Sequence, residues 1–235
     1  MNLLLLTEPD FIGPDRVRIA GRRHAHVRNI HRATPGDSLR VGLLDGLMGR
    51  GEITRLDDQF LELQVQLDQA PPPQLPLTLL LALPRPKMLK RIFQSCATLG
   101  VAELVLINSY RVEKSYWQTP FLAADKIHEH LILGLEQGMA TQLPRITQRK
   151  RFKPFVEDEL PALVGQQRAL VAHPYHAQPC PGPCDQATIL AIGPEGGFIP
   201  YEIDKLGDTG FSAIEIGQRI LRVEAAITTL CAKLF

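Results

Sequence analysis

A run of prolines divides this chain into two parts. The stretch QAPPPQLP, residues 69–76, cannot continue a helix or an interior strand, because proline lacks a backbone N–H and its ring fixes φ. Proline-rich stretches favour a stiff, extended connector. A chain of 235 residues is long enough for two modest domains. We therefore predict a first domain over residues 1–70, a linker over 71–76 and a second domain over 77–235.

The first part has the patterns of β-structure. MNLLLL at the start is too short an apolar run for a signal peptide and predicts a buried first strand. Residues 38–56 contain short apolar stretches separated by Asp-Gly and Gly pairs, which is typical of hairpins. Residues 60–67 alternate apolar and polar side chains, as a half-buried strand does. A small β-barrel is the expected fold.

After the prolines, short apolar strands alternate with amphipathic helices. Strands are predicted at residues 77–83, 103–109, 168–174, 188–194 and 213–217. Helices are predicted at 87–100, 125–138 and 222–235, the first of them stopped by Gly100. This alternation indicates an α/β domain with a mostly parallel sheet covered on both faces. Ligands of such sheets bind beyond the carboxyl ends of the strands.

Three of these strand exits have sequences suited to a ligand. They read LVAHP (170–174), IGPEGG (192–197) and IGQRILRVEAA (216–226). Glycine has no Cβ, so a ligand such as an adenine ring can approach the main-chain amides and carbonyls. For any one glycine a tight turn is the simpler explanation, but the loops together favour a binding site. Neither G-x-G-x-x-G nor a Gly-Lys-Ser/Thr phosphate motif is present.

The loops IGPEGGF (192–198) and IGQRILRVEAA (216–226) resemble the two signature segments of the SPOUT superfamily of trefoil-knotted methyltransferases. More narrowly, the chain is similar to the family that makes 3-methyluridine in small-subunit ribosomal RNA. GD.L.V.LLDG....GEI, within residues 36–53, resembles the PUA-like RNA-binding domain of that family. The resemblance implies a carboxyl-terminal knot, S-adenosylmethionine as cofactor, a homodimer, and methylation of N3 of a uridine in 16S ribosomal RNA.

Carried over position by position, the resemblance also implies a cofactor pocket. Its residues would be Leu170, His173, Ile192, Gly193, Gly196, Ile216, Gly217, Ile220 and Leu221. Transfer to a ring nitrogen requires loss of its proton, and a guanidinium near the uracil oxygens would stabilise the resulting anion. Arg222 is the first candidate for this role and Arg219 the second. Glu195 could orient an arginine, offset the sulfonium charge, accept a proton, or only accept loop amides, and Glu224 is expected to cap the last helix.

The chain departs from the family at several positions. No arginine precedes Arg16, although the family has one near its amino terminus. The arginine expected after Glu136 and Gln137 is missing unless Arg145 replaces it, and the family's ETA has become EAA at 224–226. The identity of the uridine, and even whether it lies in ribosomal RNA, is therefore left open.

A basic segment predicts where RNA would bind. Residues 16–32 contain six arginines, three histidines and no acid, within a chain of net charge +1. The arginines are Arg16, Arg18, Arg22, Arg23, Arg28 and Arg32. Such a segment suits backbone phosphates, although a solvated amphipathic helix is the alternative. A second run, RKRFK at 149–153, could continue the surface. The expected partner is ribosomal RNA within the small subunit, in the cytoplasm, with neither a membrane nor DNA involved.

Three other interpretations stay open at this point. The segment HPYHAQPCPGPC offers His173, His176, Cys180 and Cys184, which are suitable ligands for zinc. The chain could be an RNA-binding assembly module of the same fold without methyl transfer, or a methyltransferase with a different RNA target. The apolar closing stretch AAITTLCAKLF, 225–235, is a candidate dimer interface.

Overall fold

The computed structural model describes residues 1–235, which form two compact units. The first unit contains Met1–Pro73 and Leu131–Leu143, and the second contains Gln74–His130 and Pro144–Phe235. The division therefore differs from the predicted one, since a segment of the expected second domain belongs with the first. Main-chain bonds explain this difference: the N–H groups of Asn2 and Leu3 each donate to the Glu136 carbonyl at 3.0 Å.

The first unit is built on one five-stranded sheet. Its strands are β1 (Leu4–Leu6), β2 (Arg16–Ile19), β3 (Ser38–Leu43), β4 (Met48–Leu56) and β5 (Leu61–Gln69). They are ordered β1-β3-β4-β5-β2, and only the β1–β3 pair is parallel. The hairpin predicted over 38–56 is confirmed as β3 and β4, with Asp45 in the left-handed region (φ 56°) at its turn. The leucines of β1 are buried, as predicted.

A short helical segment follows β2 in the first unit. Helix α1 (Gly21–His26) continues into a π-helical turn at Val27–His31, which ends where Arg32 adopts a left-handed conformation (φ 52°). The hydrophobic core of the unit consists of aliphatic side chains from the π-helical turn and from all five strands. A single 3-10 turn, Glu8–Asp10, joins β1 to the segment before β2.

The second unit contains a fully parallel seven-stranded sheet, which confirms the α/β prediction. Its strands are β6 (Leu75–Ala82), β7 (Val101–Ile107), β8 (Arg145–Arg149), β9 (Arg168–Ala172), β10 (Gln178–Pro179), β11 (Thr188–Ile192) and β12 (Ser212–Glu215). The order is β10-β12-β9-β11-β6-β7-β8. Every residue of the central strand β11 is buried, as expected for a sheet covered on both faces.

Six helices follow strands of the second unit along the chain. They are α2 (Pro86–Leu99), α3 (Ala124–Gly138), α4 (Phe152–Pro154), α5 (Leu160–Val164), α6 (Pro200–Asp208) and α7 (Val223–Leu234). One of them, α3, ends within the first unit. The predicted stop of α2 is confirmed, because Gly100 has a φ of 75° and its N–H bonds back into the last turn. The apolar side of α7 is buried within its own unit, against α2 and β11. No helix is both long and apolar enough to cross a membrane.

The parallel arrangement gathers the strand exits at one edge. Neighbouring strands β12, β9, β11, β6 and β7 all end there. The loops that leave them are therefore adjacent in space although they lie far apart in sequence. This carboxyl edge is where the glycine loops meet.

Gly49 in β4 leaves no room for a side chain. A Cβ there would clash with the Gln66 carbonyl oxygen, a main-chain atom of the neighbouring strand. We expect Gly49→Ala to force the two strands apart and to lower the free energy of unfolding by about 2 kcal/mol. Chemical denaturation measures this. The control is Gly182→Ala, whose Cβ would meet nothing within 4 Å; equal losses in both variants would contradict the packing argument.

Candidate functional site

Three strand exits enclose a pocket at the carboxyl edge of the parallel sheet. The pocket has a volume of about 590 Å³, which is within the range of small-molecule sites. Eight of the nine residues predicted for the cofactor line it. They are His173, Ile192, Gly193, Gly196, Ile216, Gly217, Ile220 and Leu221. The ninth, Leu170, does not line the pocket, because it lies two residues inside β9 and is buried in the sheet.

The loop after β11 is a tight turn that requires its glycines. The N–H of Gly197 donates to the Pro194 carbonyl at 2.7 Å, and Gly197 has a φ of 72°. A Cβ on Gly193 would lie 2.9 Å from the Phe198 nitrogen, and one on Gly196 would lie 2.9 Å from Cδ of Arg111. The turn and the close approach of neighbours both explain the glycines, and the result is a pocket wall made of main chain.

The loop after β12 leaves its peptide groups unpaired. Residues 216–221 make no main-chain hydrogen bonds within the chain, and Gly217 has a φ of 127°. Regular bonding resumes at Arg222, whose carbonyl accepts the N–H of Ala226 at 2.8 Å in the first turn of α7. Residues 217–221 are exposed, so these peptide groups face solvent. A row of free ones beside a pocket can bind the polar edge of a ligand.

Both candidate arginines reach this pocket. Arg219 and Arg222 line it, are exposed, and form no ion pair. Their guanidinium groups are therefore free to bind an anion. Glu224 lies in the first turn of α7, where the helix dipole stabilises a negative charge. No side-chain hydrogen bond caps the helix there.

Glu195 also lines the pocket, but its carboxylate already has a partner. Its Oε1 accepts the main-chain N–H of Arg85 at 3.0 Å. Arg85 precedes α2, so the bond ties the loop after β11 to the exit of β6. The sequence left several roles open for Glu195. This contact matches the one in which its carboxylate accepts hydrogen bonds from loop amides.

Two residues of the site were missed in the sequence. Arg111, after β7, lines the pocket and donates to the Gly196 carbonyl. Glu202 is 2% exposed; it accepts N–H bonds from Tyr110 at 2.7 Å and from Ile199 at 3.0 Å. Glutamate three residues into a helix start is a capping signal that could have identified Glu202. The position of Arg111 depends on strand order and has no local signal.

The histidine at the first exit faces the pocket without charge at neutral pH. Burial lowers the pKa of His173, and the nearby His176 lowers it further. Its main-chain N–H donates to the Ile214 carbonyl at 3.0 Å, which fixes the loop beside β12. The four candidate zinc ligands His173, His176, Cys180 and Cys184 do not come together, since no three His, Cys, Asp or Glu side chains form a group that could hold a metal ion.

The arginine-rich segment is surrounded by acids from other parts of the first unit. Arg16 and Arg18 both pair with Glu62, Arg22 with Glu136, Arg23 with Asp10 and Arg28 with Asp58. No acidic residue lies within the segment itself, but acidic residues from elsewhere in the unit lie next to its arginines in the fold. Only Arg32 of the six has no ion pair. The segment is also not one helix, since it begins as β2.

Arg23 is a structural residue. Its guanidinium binds both carboxylate oxygens of Asp10 at 2.7 Å and the Leu5 carbonyl at 2.6 Å. Only 20% of its side chain and 11% of that of Asp10 are exposed. Burial alone would raise the pKa of Asp10, but hydrogen bonds from Arg23 and Thr7, with the Arg23 charge, outweigh burial and lower it. This pair joins α1 to the turn after β1.

Arg145, the possible replacement for a family arginine, lies outside the pocket. It is the first residue of β8 and pairs at 3.5 Å with Glu103, near the start of β7. Both residues lie toward the amino ends of their strands. The pocket lies beyond the opposite ends.

Known proteins are similar to this chain in sequence. Residues 71–234 match the family described as RNA methyltransferase domain. A Treponema pallidum protein named Ribosomal RNA small subunit methyltransferase E is 26% identical over 99% of this chain and 90% of its own length.

Solved structures share the fold over nearly the whole chain. A Neisseria gonorrhoeae protein of the same name, bound to S-adenosylmethionine, superimposes with a TM-score of 0.74 at 20% identity, covering 99% of this chain and 95% of its own. A Legionella pneumophila protein in complex with the same cofactor gives 0.69 at 24% identity, covering 99% and 97%.

Removing the Asp10 charge tests the structural role of Arg23. Because the pKa of Asp10 is lowered in the folded state, its stabilising effect is present above the ordinary aspartate pKa and is lost as pH falls through the lowered value. We expect Asp10→Asn to lower stability by about 2 kcal/mol at pH 7. The difference from wild type should shrink below about pH 4. Denaturation at several pH values measures both effects.

Asp58→Asn is the matched control, since Asp58 is 84% exposed in its pair with Arg28. An exposed pair contributes little to stability. Equal losses in the two variants at pH 7 would contradict the assignment.

Proposed function

This chain belongs to the RNA methyltransferase domain family, and we propose that it transfers a methyl group from S-adenosylmethionine to N3 of a uridine in 16S ribosomal RNA. The observation that carries the proposal is the pocket at the carboxyl edge. It combines a main-chain wall, formed by the turn 193–197 and the unpaired segment 216–221, with two free arginines. In this pocket, a site for a nucleoside cofactor would lie next to a site for an anionic base.

The names of similar proteins support the choice of substrate and cofactor. The Treponema pallidum relative carries the name of a small-subunit ribosomal RNA methyltransferase. The Neisseria gonorrhoeae structure of that name was solved with S-adenosylmethionine bound. The proposal extends both statements to this chain.

The residues of the pocket fit such a cofactor. The bare turn at Gly193 and Gly196 has no space for side chains, and free peptide groups at 216–221 can read the edge of an adenine ring. Ile192, Ile220 and the neutral His173 would supply apolar contacts. When bound, S-adenosylmethionine supplies an electrophilic methyl group on a sulfonium.

The arginines would prepare the acceptor. A uracil nitrogen becomes nucleophilic when its N–H proton is lost to solvent, and the charge then spreads onto the ring oxygens. Arg222, at the start of α7, would donate hydrogen bonds to those oxygens and favour the deprotonated ring. Arg219 lies three residues earlier in the same wall and is the second candidate. Glu195 is engaged with Arg85, so its proposed role is to hold the turn in place.

Several finer features are part of the same proposal. We infer that the five-stranded sheet of the first unit corresponds to a PUA-like RNA-binding domain and helps to bind RNA. We also infer a trefoil knot in the segment that forms the pocket and a homodimer in solution. These inferences rest on the resemblance of residues 36–53 and of the loops at 192–198 and 216–226 to the SPOUT methyltransferase family.

Gly193 tests the cofactor wall. Gly193→Ala would place a Cβ 2.9 Å from the Phe198 nitrogen and displace the turn. We expect the affinity for S-adenosylmethionine, measured by calorimetry, to fall at least about tenfold. Gly207→Ala is the control, because its Cβ would meet nothing within 4 Å. Unchanged affinity in the Gly193 variant would argue against this wall as the binding surface.

Arg222 tests the chemistry. We expect Arg222→Ala to lower the methylation rate of unmodified small ribosomal subunits by about 100-fold or more, as loss of an oxyanion contact does. Cofactor binding should remain measurable. Nucleoside analysis for 3-methyluridine provides the readout, with Arg219→Ala as the comparison from the same loop. Near-normal turnover in Arg222→Ala would exclude this mechanism.

A further inference from the structure

The exits of β6 and β7 bring two more arginines to the rim of the pocket. Both flank the turn after β11: Arg85 donates its main-chain N–H to Glu195, and Arg111 donates a guanidinium N–H to the Gly196 carbonyl. In the sheet, β6 lies beside β11 and β7 lies beyond it. Strand β12 is on the other side of β11. Arg111 therefore approaches the pocket from the side opposite to Arg219 and Arg222.

These rim arginines differ from those of the first unit. Arg85 and Arg111 are exposed and form no ion pair, whereas Arg16, Arg18 and Arg22 each have an acidic partner. An arginine that already neutralises a carboxylate has less attraction for a phosphate. Arg111 uses one of its five N–H donors on Gly196, and the others remain available. Charge available to RNA is therefore greater at the pocket rim than in the arginine-rich segment.

A buried carboxylate fixes the backbone beneath Arg111. Glu202, in α6, accepts the N–H of Tyr110 at 2.7 Å, and Ser109 donates its hydroxyl to the same carboxylate at 3.4 Å. Ser109 and Glu202 are each 2% exposed, but Tyr110 is 79% exposed. The loop is thus held from below while an aromatic ring and a guanidinium face solvent side by side in the chain.

We propose that Tyr110 and Arg111, which we call the β7 lip, bind the RNA strand beside the target uridine. Arg111 contacts a backbone phosphate, for which its planar fork of donors is suited. Tyr110 stacks on a neighbouring base, as aromatic side chains do with unpaired nucleotides. The inference rests on the proposed function only in taking RNA as the substrate. With Arg219 and Arg222 opposite, the strand is gripped on both sides of the pocket mouth.

The two lip residues should give different signatures in one binding experiment. The probe is an unmodified 16S ribosomal RNA transcript, titrated with the full chain at several salt concentrations. Loss of a phosphate contact in Arg111→Ala should weaken binding about tenfold and reduce the slope of log affinity against log salt by about 0.7–0.9. Loss of stacking in Tyr110→Ala should weaken binding about fivefold or more with the slope unchanged.

Conservative variants and a distant arginine are the matched controls. Arg111→Lys should keep the wild-type salt slope, and Tyr110→Phe should keep the affinity. Arg145→Ala, which removes the same charge near the amino ends of the strands, should behave as wild type. Affinity for S-adenosylmethionine, measured by calorimetry, should change less than about threefold in the Tyr110 and Arg145 variants.

Three results would overturn the proposal that the β7 lip binds RNA. The first is wild-type RNA affinity and slope in Arg111→Ala. The second is loss of cofactor binding in both Arg111 variants with an unchanged slope, which would make Arg111 only a clasp on Gly196. The third is failure of the wild-type protein to bind the transcript. Methylation of small subunits by the wild-type protein is measured separately. Absence of methylation would refute the proposed function, but the role of the β7 lip in RNA binding would still be judged by the binding experiment.

Discussion

The functional edge of this protein depends on main-chain groups that the fold leaves unpaired. Residues 216–221 make no backbone hydrogen bonds, and the turn after β11 packs so closely that Gly193 cannot carry a side chain. A regular element fixes each end of both loops. The parallel sheet supplies one end, and helices α6 and α7 supply the other. A ligand that satisfies these groups gains hydrogen bonds at little ordering cost.

Carboxylates hold the bare loops in position. Glu195 joins the turn to the start of α2, and the buried Glu202 joins the start of α6 to the exit of β7. Each carboxylate bonds main-chain N–H groups, so the arginines at the pocket stay uncommitted. In the first unit, Glu62, Glu136 and Asp10 instead pair with arginine side chains. Acid placement thus separates arginines that are held in ion pairs from arginines whose charge remains free.

The sequence predicts what depends on local pattern and misses what depends on distant partners. Alternation in 60–67, the stop at Gly100 and the glycine turns are local signals, and the strands and helices they predict are confirmed. Arg18 and Arg22 find acids 44 and 114 residues away, so no local feature shows that they are paired. Arg111 reaches the pocket only because β7 lies two strands from β11. Leu170 does not line the pocket, because it lies two positions inside β9 and is buried there.

Amide hydrogen exchange with and without S-adenosylmethionine tests the central claim most directly. Free peptide groups at 216–221 should exchange fast in the unliganded protein and slow down on binding, together with the turn at 193–198. Protection confined to these two segments is the predicted result. Unchanged exchange at both would contradict the account. So would protection only in the polar groove of the first unit around Asp15, Arg50 and Glu52.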